Sequence, residues 1–290
     1  MISVFIPTYN ASSCIDETLK SVLSQTYNEI EVWVVDDCST DQTPEILDAW
    51  ARSDSRVKVL HKEKNEGFVP FSWNRVFPLL KGEFTLYLSH DDLVSEDCIE
   101  KLVAKQQETG ADCVIPEVRM WNASQDEKEI LDGSWTIHDN SCLAKGMTAV
   151  NGKTAFAHML NYDIPGFALW RSSIIEKVGK KYSTLHTPHS TLCIMPTEAW
   201  NSDEGMQRIW AFKSQKVTFA TDAKFYYRIT PRSITKGLKP YHLTGLKTQE
   251  RLIKAAFTLG IWWRYPKQTL RFVWQYCKSY RYLKTHITKK

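Results

Sequence analysis

Short apolar runs alternate with segments of helical periodicity at the start of this chain, and this alternation limits the folds it can adopt. The runs are predicted strands at residues 2–6, 30–35, 57–60 and 84–88. Between them, a stripe with Ile15 and Leu19 predicts one helix, and Thr43 before Pro44 opens another. Strands separated by helices favour parallel pairing through right-handed crossovers. The sequence therefore predicts an α/β fold.

Two adjacent carboxylates, Asp91 and Asp92, follow the fourth predicted strand within Ser89-His90-Asp91-Asp92. Charges at the end of a buried strand are costly unless they face a cation or a hydrogen-bonding ligand. Open α/β sheets bind ligands at this end of their strands, and a divalent metal carrying a diphosphate would suit the pair. Alternatively, one of the two caps a helix predicted over 95–109. The pair alone leaves both interpretations open.

Polar clusters also follow the first two predicted strands, at Thr8-Tyr9-Asn10 and at Asp36-Asp37. Parallel strands end at the same edge of a sheet, so these clusters and Asp91-Asp92 are expected to lie together. The sequence thus predicts one site along this edge.

Four motifs in this region resemble those of family 2 glycosyltransferases with the GT-A fold, in both order and spacing. They occupy residues 6–10, 35–41, 65–67 and 89–92. Weaker similarity continues through 166–171 and 202–204 and ends near 226–235. The resemblance implies a Rossmann-like, mostly parallel central sheet with flanking helices, followed by a C-terminal helical extension.

The resemblance also implies a domain organisation. Residues 1–240 are expected to form the catalytic domain, with a nucleotide-sugar-binding half at 1–115 and an acceptor-binding half at 116–240. Residues 241–290 carry no recognised motif and are expected to form a basic, aromatic helical extension.

The family's binding roles can be carried over residue by residue. The turn after the first strand holds the nucleobase in the family, which implicates Pro7, Thr8 and Tyr9. The acidic pair after the second strand reaches the base or ribose, and we favour Asp37 over Asp36 for that contact.

The metal motif of the family assigns Asp91 to the ribose and Asp92 to Mn²⁺ or Mg²⁺. Many members carry a further Asp two residues before this pair, where this chain has Ser89. The departure concerns the identity and affinity of the ion.

An acidic dyad in the family supplies the base that deprotonates the acceptor. Asp203 is our choice for this role because Met206 then falls on a usually apolar position, and Glu204 is the alternative. A carboxylate at this point could also simply face the N-terminal dipole of a helix.

The implied activity is inverting transfer of a hexosyl or hexosaminyl group from a nucleoside-diphosphate sugar to a hydroxyl of a glycan or lipid-linked acceptor, in surface polysaccharide, O-antigen or capsule assembly. A non-catalytic relative that binds sugar nucleotides remains an alternative. A sugar-1-phosphate nucleotidyltransferase is disfavoured, because residues 1–66 contain no glycine for a phosphate-binding loop after the first strand.

Charge is distributed unevenly along the chain. Residues 251–290 contain ten Lys or Arg and no Asp or Glu, interleaved with Trp and Tyr. Such a segment suits an anionic membrane surface, and 261–290 is predicted either to dock there or to pack on the domain through a stripe of Leu270, Val273, Cys277 and Tyr280. Nucleic acid is not an expected partner, since no binding module accompanies the charge.

The expected location is the cytoplasm, with peripheral attachment to the inner face of the membrane left open by the basic segment. Seven cysteines form no Cys-x-x-Cys pair, which favours a reducing compartment. Met1 leads directly into the first predicted strand, without the pattern of a signal peptide.

Overall fold

The computed structural model describes residues 1–122, 148–161, 163–186, 202–229 and 242–287. The strands within these residues are β1 (Ile2–Thr8), β2 (Ile30–Asp36), β3 (Val57–His61), β4 (Phe84–Tyr87), β5 (Leu93–Val94), β6 (Cys113–Asn122), β7 (Ala149–Val150), β8 (Leu169–Arg171) and β9 (Val217–Ile229). The helices are α1 (Ile15–Leu23), α2 (Thr43–Ser53), α3 (Val69–Val76), α4 (Cys98–Thr109), α5 (Gly152–Met159), α6 (Ser172–His186), α7 (Ser202–Lys213), α8 (His242–Thr258), α9 (Ile261–Arg264) and α10 (Pro266–Ile287), with a 3₁₀ turn at Phe77–Leu79.

One sheet joins these strands in the order β3-β2-β1-β4-β8-β6-β9-β5, and β7 pairs with β9. The first four strands are parallel, as the sequence predicted. Beyond β4 the sheet is mixed, because β8 is antiparallel to β4 and β6, while β6 is parallel to β9. The predicted boundary at 115/116 falls inside β6, and that at 240/241 lies outside the described residues, so the division into domains stays a prediction.

Local signals explain where several helices begin and end. Pro44 occupies the first turn of α2, and Gly110 ends α4 in the left-handed conformation with φ of 64°. The side chain of Asn151 caps α5 by accepting a hydrogen bond from the Thr154 amide at 3.0 Å. The N-cap of α4 is Asp97, and β5 separates it from the acidic pair, so the idea that Asp91 or Asp92 caps this helix is wrong.

Two apolar layers cover the two faces of the sheet. Val4 and Ile6 of β1 belong to one cluster, and Phe5 between them belongs to the other, as strand alternation requires. In the second cluster Trp210 of α7 lies with its ring centre 5.6 Å from that of Trp73 and 5.7 Å from that of Trp170. This contact fixes α7 against the sheet.

The C-terminal helices pack against the domain through a small core of their own. Ile261 and Phe272 bury their side chains with Phe156 of α5 and Leu252 of α8. The packing stripe predicted from sequence is wrong in its orientation: Leu270 is 66% exposed, whereas Phe272 is 4% exposed. In the structure α10 is oriented so that the phenyl ring of Phe272, and not the side chain of Leu270, faces the domain. No helix among the described residues is long and apolar enough to cross a membrane.

A glycine-to-alanine change at Gly82 should test how closely the chain before β4 approaches β1. An added Cβ would lie 2.4 Å from the Ser3 amide nitrogen and 2.7 Å from the Phe84 carbonyl oxygen. We expect Gly82→Ala to lose ~1–3 kcal/mol of unfolding free energy in urea titration. Lys81→Ala is the control, since the exposed Lys81 side chain should be dispensable. Equal stability of the two variants would contradict the close approach.

Candidate active site

The ends of β1, β2 and β4 bring the predicted residues to one edge of the sheet. Thr8 at the end of β1 lies opposite Asp36 at the end of β2. The loop after β4 is tied to β1, because a ring nitrogen of His90 hydrogen-bonds to the Pro7 carbonyl oxygen at 3.2 Å. The structure therefore groups the three polar clusters as expected.

The turn after β1 exposes one of the three predicted nucleobase residues. Asn10 adopts a positive φ of 47°, and its side-chain oxygen accepts a hydrogen bond from the Thr40 amide at 2.8 Å. Within this fixed turn the Tyr9 ring is 42% exposed and offers a stacking surface. The Thr8 hydroxyl is buried and has no hydrogen-bond partner among the described residues.

Asp36 is buried and both of its oxygens have protein partners. Oδ1 accepts hydrogen bonds from the Ser39 amide and hydroxyl, and Oδ2 lies 3.0 Å from Nδ1 of His61. Partial burial by itself would lower the pKa of His61, but hydrogen bonds to Asp36 and Asp48 outweigh it and the pKa is raised. Asp36 thus holds the loop after β2 together.

Asp37 is used in a similar way. Its Oδ1 accepts from Lys62 Nζ at 2.9 Å and from the Glu66 amide at 2.9 Å, and its Oδ2 accepts from the Gly67 amide at 2.8 Å. Gly67 has φ of 81°, which favours glycine. A carboxylate accepts about four hydrogen bonds. Asp37 already accepts three hydrogen bonds within the protein. The contact of Asp36 or Asp37 with the base or ribose stays a prediction.

Asp92 is a fully buried carboxylate at this edge with one oxygen left unsatisfied among the described residues. It is 0% exposed, its Oδ1 accepts the Arg228 backbone amide at 3.0 Å, and its Oδ2 has no hydrogen-bond partner in the described part of the chain. Burial, followed by the charge of Asp91, raises the pKa of Asp92 well above its usual value. An ionised carboxylate here would need a cation nearby.

The residues present fit a divalent metal. No group of three metal-ligating side chains is found among the described residues. A hard cation bound with a diphosphate needs only one or two carboxylates, and the unpartnered Asp92 Oδ2 supplies one. Asp91 lies beside it and is partly exposed.

Two tyrosines connect this loop with the start of α7. Burial raises the pKa of Tyr87, and the charge of Asp203 raises it further, with smaller contributions from Asp92 and Asp91. Burial raises the pKa of Tyr227 to about 12, again with help from Asp92, Asp91 and Glu204. Tyr87 therefore lies near the metal motif and Asp203, and Tyr227 lies near the metal motif and Glu204.

The first turn of α7 places both candidate bases near the site. Asp203 is partly buried, and burial together with the charge of Glu204 raises its pKa to about 6. Glu204 instead forms an ion pair with Arg208 at 3.5 Å, and Arg208 Nε donates to the Met159 carbonyl oxygen at 3.0 Å. A base with a pKa near 6 is ionised at neutral pH and still accepts a proton readily.

Sequence reasoning missed the roles of Tyr87, Tyr227 and Arg228. Tyr227 and Arg228 were noted only where the resemblance fades, and Tyr87 only as part of a strand. Arg228 donates from Nε to the Asp91 carbonyl oxygen at 2.7 Å, and its guanidinium pairs with Glu17 of α1. No local sequence pattern could have revealed these contacts, because Arg228 and Asp92 are 136 positions apart.

A sequence model described as Glycosyl transferase family 2 matches residues 3–179. The chain belongs to this family. Its α/β architecture, with a mixed sheet, flanking helices and C-terminal helices, is the GT-A fold of family 2 enzymes, as expected.

Curated relatives agree with this assignment. Glycosyltransferase GlyG of Streptococcus pneumoniae is 43% identical over 115 residues, which are 40% of this chain and 38% of GlyG. Poly(ribitol-phosphate) beta-N-acetylglucosaminyltransferase TarS of Staphylococcus aureus is 34% identical over 230 residues, or 78% of this chain and 35% of TarS. The chain thus matches little more than a third of the length of either relative.

Solved structures share the fold. TarS residues 1–349 of S. aureus in complex with UDP-GlcNAc superpose with a TM-score of 0.63 at 20% identity, covering 87% of this chain and 65% of that one. The mannosyltransferase PcManGT of Pyrobaculum calidifontis in complex with GDP-Man and Mn²⁺ superposes with a TM-score of 0.58 at 17% identity. This match covers 99% of this chain and 79% of PcManGT.

The raised pKa of Asp203 predicts a pH-dependent stability change in this family 2 protein. The folded pKa of about 6 exceeds the ordinary 3.8, so ionised Asp203 opposes folding above pH 6 and the penalty disappears below about pH 4. Asp203→Asn should raise the melting temperature at pH 7.5 and leave it unchanged at pH 4. Glu204→Gln should raise it less at pH 7.5, because the loss of the ion pair to Arg208 opposes the relief of its repulsion with Asp203. A pH-independent difference for Asp203→Asn would contradict the raised pKa.

Proposed function

We propose that the protein is an inverting glycosyltransferase that moves a hexosyl or hexosaminyl group from a nucleoside-diphosphate sugar to a hydroxyl of a glycan or lipid-linked acceptor. The observation that carries the proposal is the pairing, around Tyr87, of Asp92, a buried carboxylate with an unpartnered oxygen, and Asp203, a second carboxylate of raised pKa. We further propose a place in surface polysaccharide, O-antigen or capsule assembly; the similarity to TarS, a poly(ribitol-phosphate) transferase, supports cell-surface polysaccharide assembly in general.

The donor would lie along the edge formed by β1, β2 and β4. Tyr9 would stack on the base beside Pro7 and Thr8, with Asp37 or Asp36 accepting further hydrogen bonds and Asp91 reaching the ribose. UDP-GlcNAc is the first donor to test, because the structural neighbour TarS is described in complex with it. GDP-Man is the second, from PcManGT.

Asp92 would hold the metal, as Mn²⁺ or Mg²⁺, through its unpartnered Oδ2. The bound ion would offset the negative charge that grows on the departing diphosphate. Mn²⁺ is present in the PcManGT complex, which supports a divalent ion of this kind.

Asp203 would take the proton of the acceptor hydroxyl. For inversion, the hydroxyl attacks the anomeric carbon from the face opposite the diphosphate, so the base must lie across the donor from the metal. Asp203 in α7 and Asp92 in the loop after β4 both lie near Tyr87, which supports their acting on one bound donor. Glu204 is the alternative base.

Transfer from a panel of sugar nucleotides should separate the roles of the two carboxylates. Asp203→Asn should lower turnover ~10²–10⁴-fold and retain nucleotide binding. Asp92→Asn should abolish Mn²⁺-dependent binding of UDP or GDP in calorimetry and retain the folded circular dichroism spectrum.

Glu204→Gln is the matched control for the base. Full activity in Asp203→Asn with loss in Glu204→Gln would transfer the role to Glu204. Nucleotide binding without donor hydrolysis or transfer would favour a non-catalytic binding protein.

We also propose that the C-terminal helices bind the anionic surface of the membrane on its cytoplasmic side. We define the outward face of α10 as its exposed residues Leu270, Trp274, Cys277, Lys278, Arg281 and Tyr282, of which the last five line one open surface hollow. Trp274 is 62% exposed, and Trp263 in α9 is 74% exposed. Since residues 251–290 contain no acidic group, an anionic lipid surface complements this face in charge, and the indole rings suit the headgroup region.

Vesicle flotation should test this surface without removing the buried Phe272. Full-length protein should float with vesicles of phosphatidylglycerol and phosphatidylcholine at low salt and separate from them at high salt. Lys278→Glu with Arg281→Glu should weaken binding at least tenfold, given ~1 kcal/mol per basic group. Lys20→Glu with Lys180→Glu, an equal charge change on α1 and α6, should float like the parent. Parent protein that never floats, or that elutes as a dimer through this face, would contradict membrane docking.

A further inference from the structure

The end of β9 reaches across the sheet edge to the loop after β4. Arg228, near the end of this strand, is 8% exposed. Its backbone amide donates to Asp92 Oδ1 at 3.0 Å, and its Nε donates to the Asp91 carbonyl oxygen at 2.7 Å. One residue thus holds both the side chain of Asp92 and the backbone of its neighbour.

The remaining end of the guanidinium contacts α1. It forms an ion pair with Glu17, whose side chain is 46% exposed. The next residue of α1, Thr18, donates from its hydroxyl to the His90 carbonyl oxygen at 2.8 Å. The loop 89–92 is therefore held between β9 and α1 by adjacent contacts.

We propose that Arg228 is a positioning residue: its guanidinium, bonded to the Asp91 carbonyl and to Glu17, fixes the backbone amide that orients Asp92 for the metal, and Glu17 neutralises its charge. The inference rests on the proposed function, in which Asp92 binds the ion. With Oδ1 fixed by the Arg228 amide, Oδ2 is left for the ligand. Residues that orient a metal ligand by hydrogen bonds typically change metal affinity when they are replaced.

Glu17 has a separate role in this arrangement. A guanidinium beside the metal site would repel a divalent cation, and the repulsion is strong where water is excluded. The carboxylate of Glu17 offsets that charge from the far side of Arg228, so the hydrogen bonds are retained without an added net positive charge. Loss of Glu17 should therefore weaken metal binding even if the loop keeps its shape.

Mn²⁺ binding in the presence of UDP, with GDP as the second probe, tests the proposal by calorimetry and electron paramagnetic resonance. Arg228→Gln should lower the affinity for Mn²⁺ by ~10–100-fold. Nucleotide affinity without metal should fall less than Mn²⁺ affinity, since Arg228 bonds only the backbone of Asp91 among the predicted base and ribose contacts. Arg228→Lys keeps the positive charge but loses the planar guanidinium with its several donors. Its Mn²⁺ affinity should lie between those of Arg228→Gln and the parent. In transfer assays, saturating Mn²⁺ should restore most of the rate of Arg228→Gln and none of that of Asp92→Asn.

Arg171→Gln is the matched control. Arg171 also bridges two acidic residues, Glu83 at 2.7 Å and Asp112 at 3.1 Å, and neither lies in loop 89–92. It should bind Mn²⁺ like the parent. If Arg228→Gln fails to fold, Glu17→Gln still tests the inference. It should lower the affinity for Mn²⁺ severalfold.

The outcomes distinguish the inference from the proposed function. A parent protein whose nucleotide affinity does not depend on Mn²⁺ would overturn both. Mn²⁺-dependent binding in the parent, with unchanged Mn²⁺ affinity in folded Arg228→Gln or in Glu17→Gln, would overturn the inference alone.

Discussion

A fully buried carboxylate at the end of β4 is the constraint on which the rest of the site depends. Asp92 has one oxygen held by the Arg228 amide and another without a partner among the described residues. A buried charge is tolerated only where its surroundings are fixed and a counter-charge is available. The ties of loop 89–92 to β1, α1 and β9 supply that fixed setting. They leave Oδ2 of Asp92 as the atom that a cation could satisfy.

The mixed sheet explains how the second half of the chain contributes to this edge. A sheet made only of β1 to β4 would bring together the loops after those strands and nothing else. Because β9 pairs with β5 directly after the acidic loop, Tyr227 and Arg228 arrive beside Asp92. Trp210 packs α7 on Trp73 and Trp170, which brings Asp203 near Tyr87. The candidate base is thus positioned by an aromatic contact two turns away.

Local pattern predicted the parallel strands and the positions of Asp91 and Asp92, because burial periodicity and strand ends are encoded within a few residues. It did not predict the contact of Arg228 with Asp92, which joins residues 136 positions apart and has no periodic signal. Nor could it show that Asp37 makes three internal hydrogen bonds, since a motif reveals a carboxylate but not its partners. The sequence stripe on α10 failed for a related reason. Apolar spacing does not indicate which of two candidate faces meets the domain.

The two interpretations of the C-terminal segment apply to opposite faces of one helix. Phe272 buries α10 against α5 and α8, while Trp274 and its basic neighbours point to solvent. Polar contacts strengthen the inner face, because Asn161 donates to the Gln268 carbonyl oxygen at 2.9 Å and Tyr276 donates to Glu250 at 2.6 Å. Because of these contacts α10 cannot turn independently of the domain. If the outward face binds lipid as proposed, the domain would therefore be oriented together with α10. Since α5 also packs on α7, the helix of the candidate base would keep a fixed orientation relative to the bilayer, and a lipid-linked acceptor would meet it in one geometry.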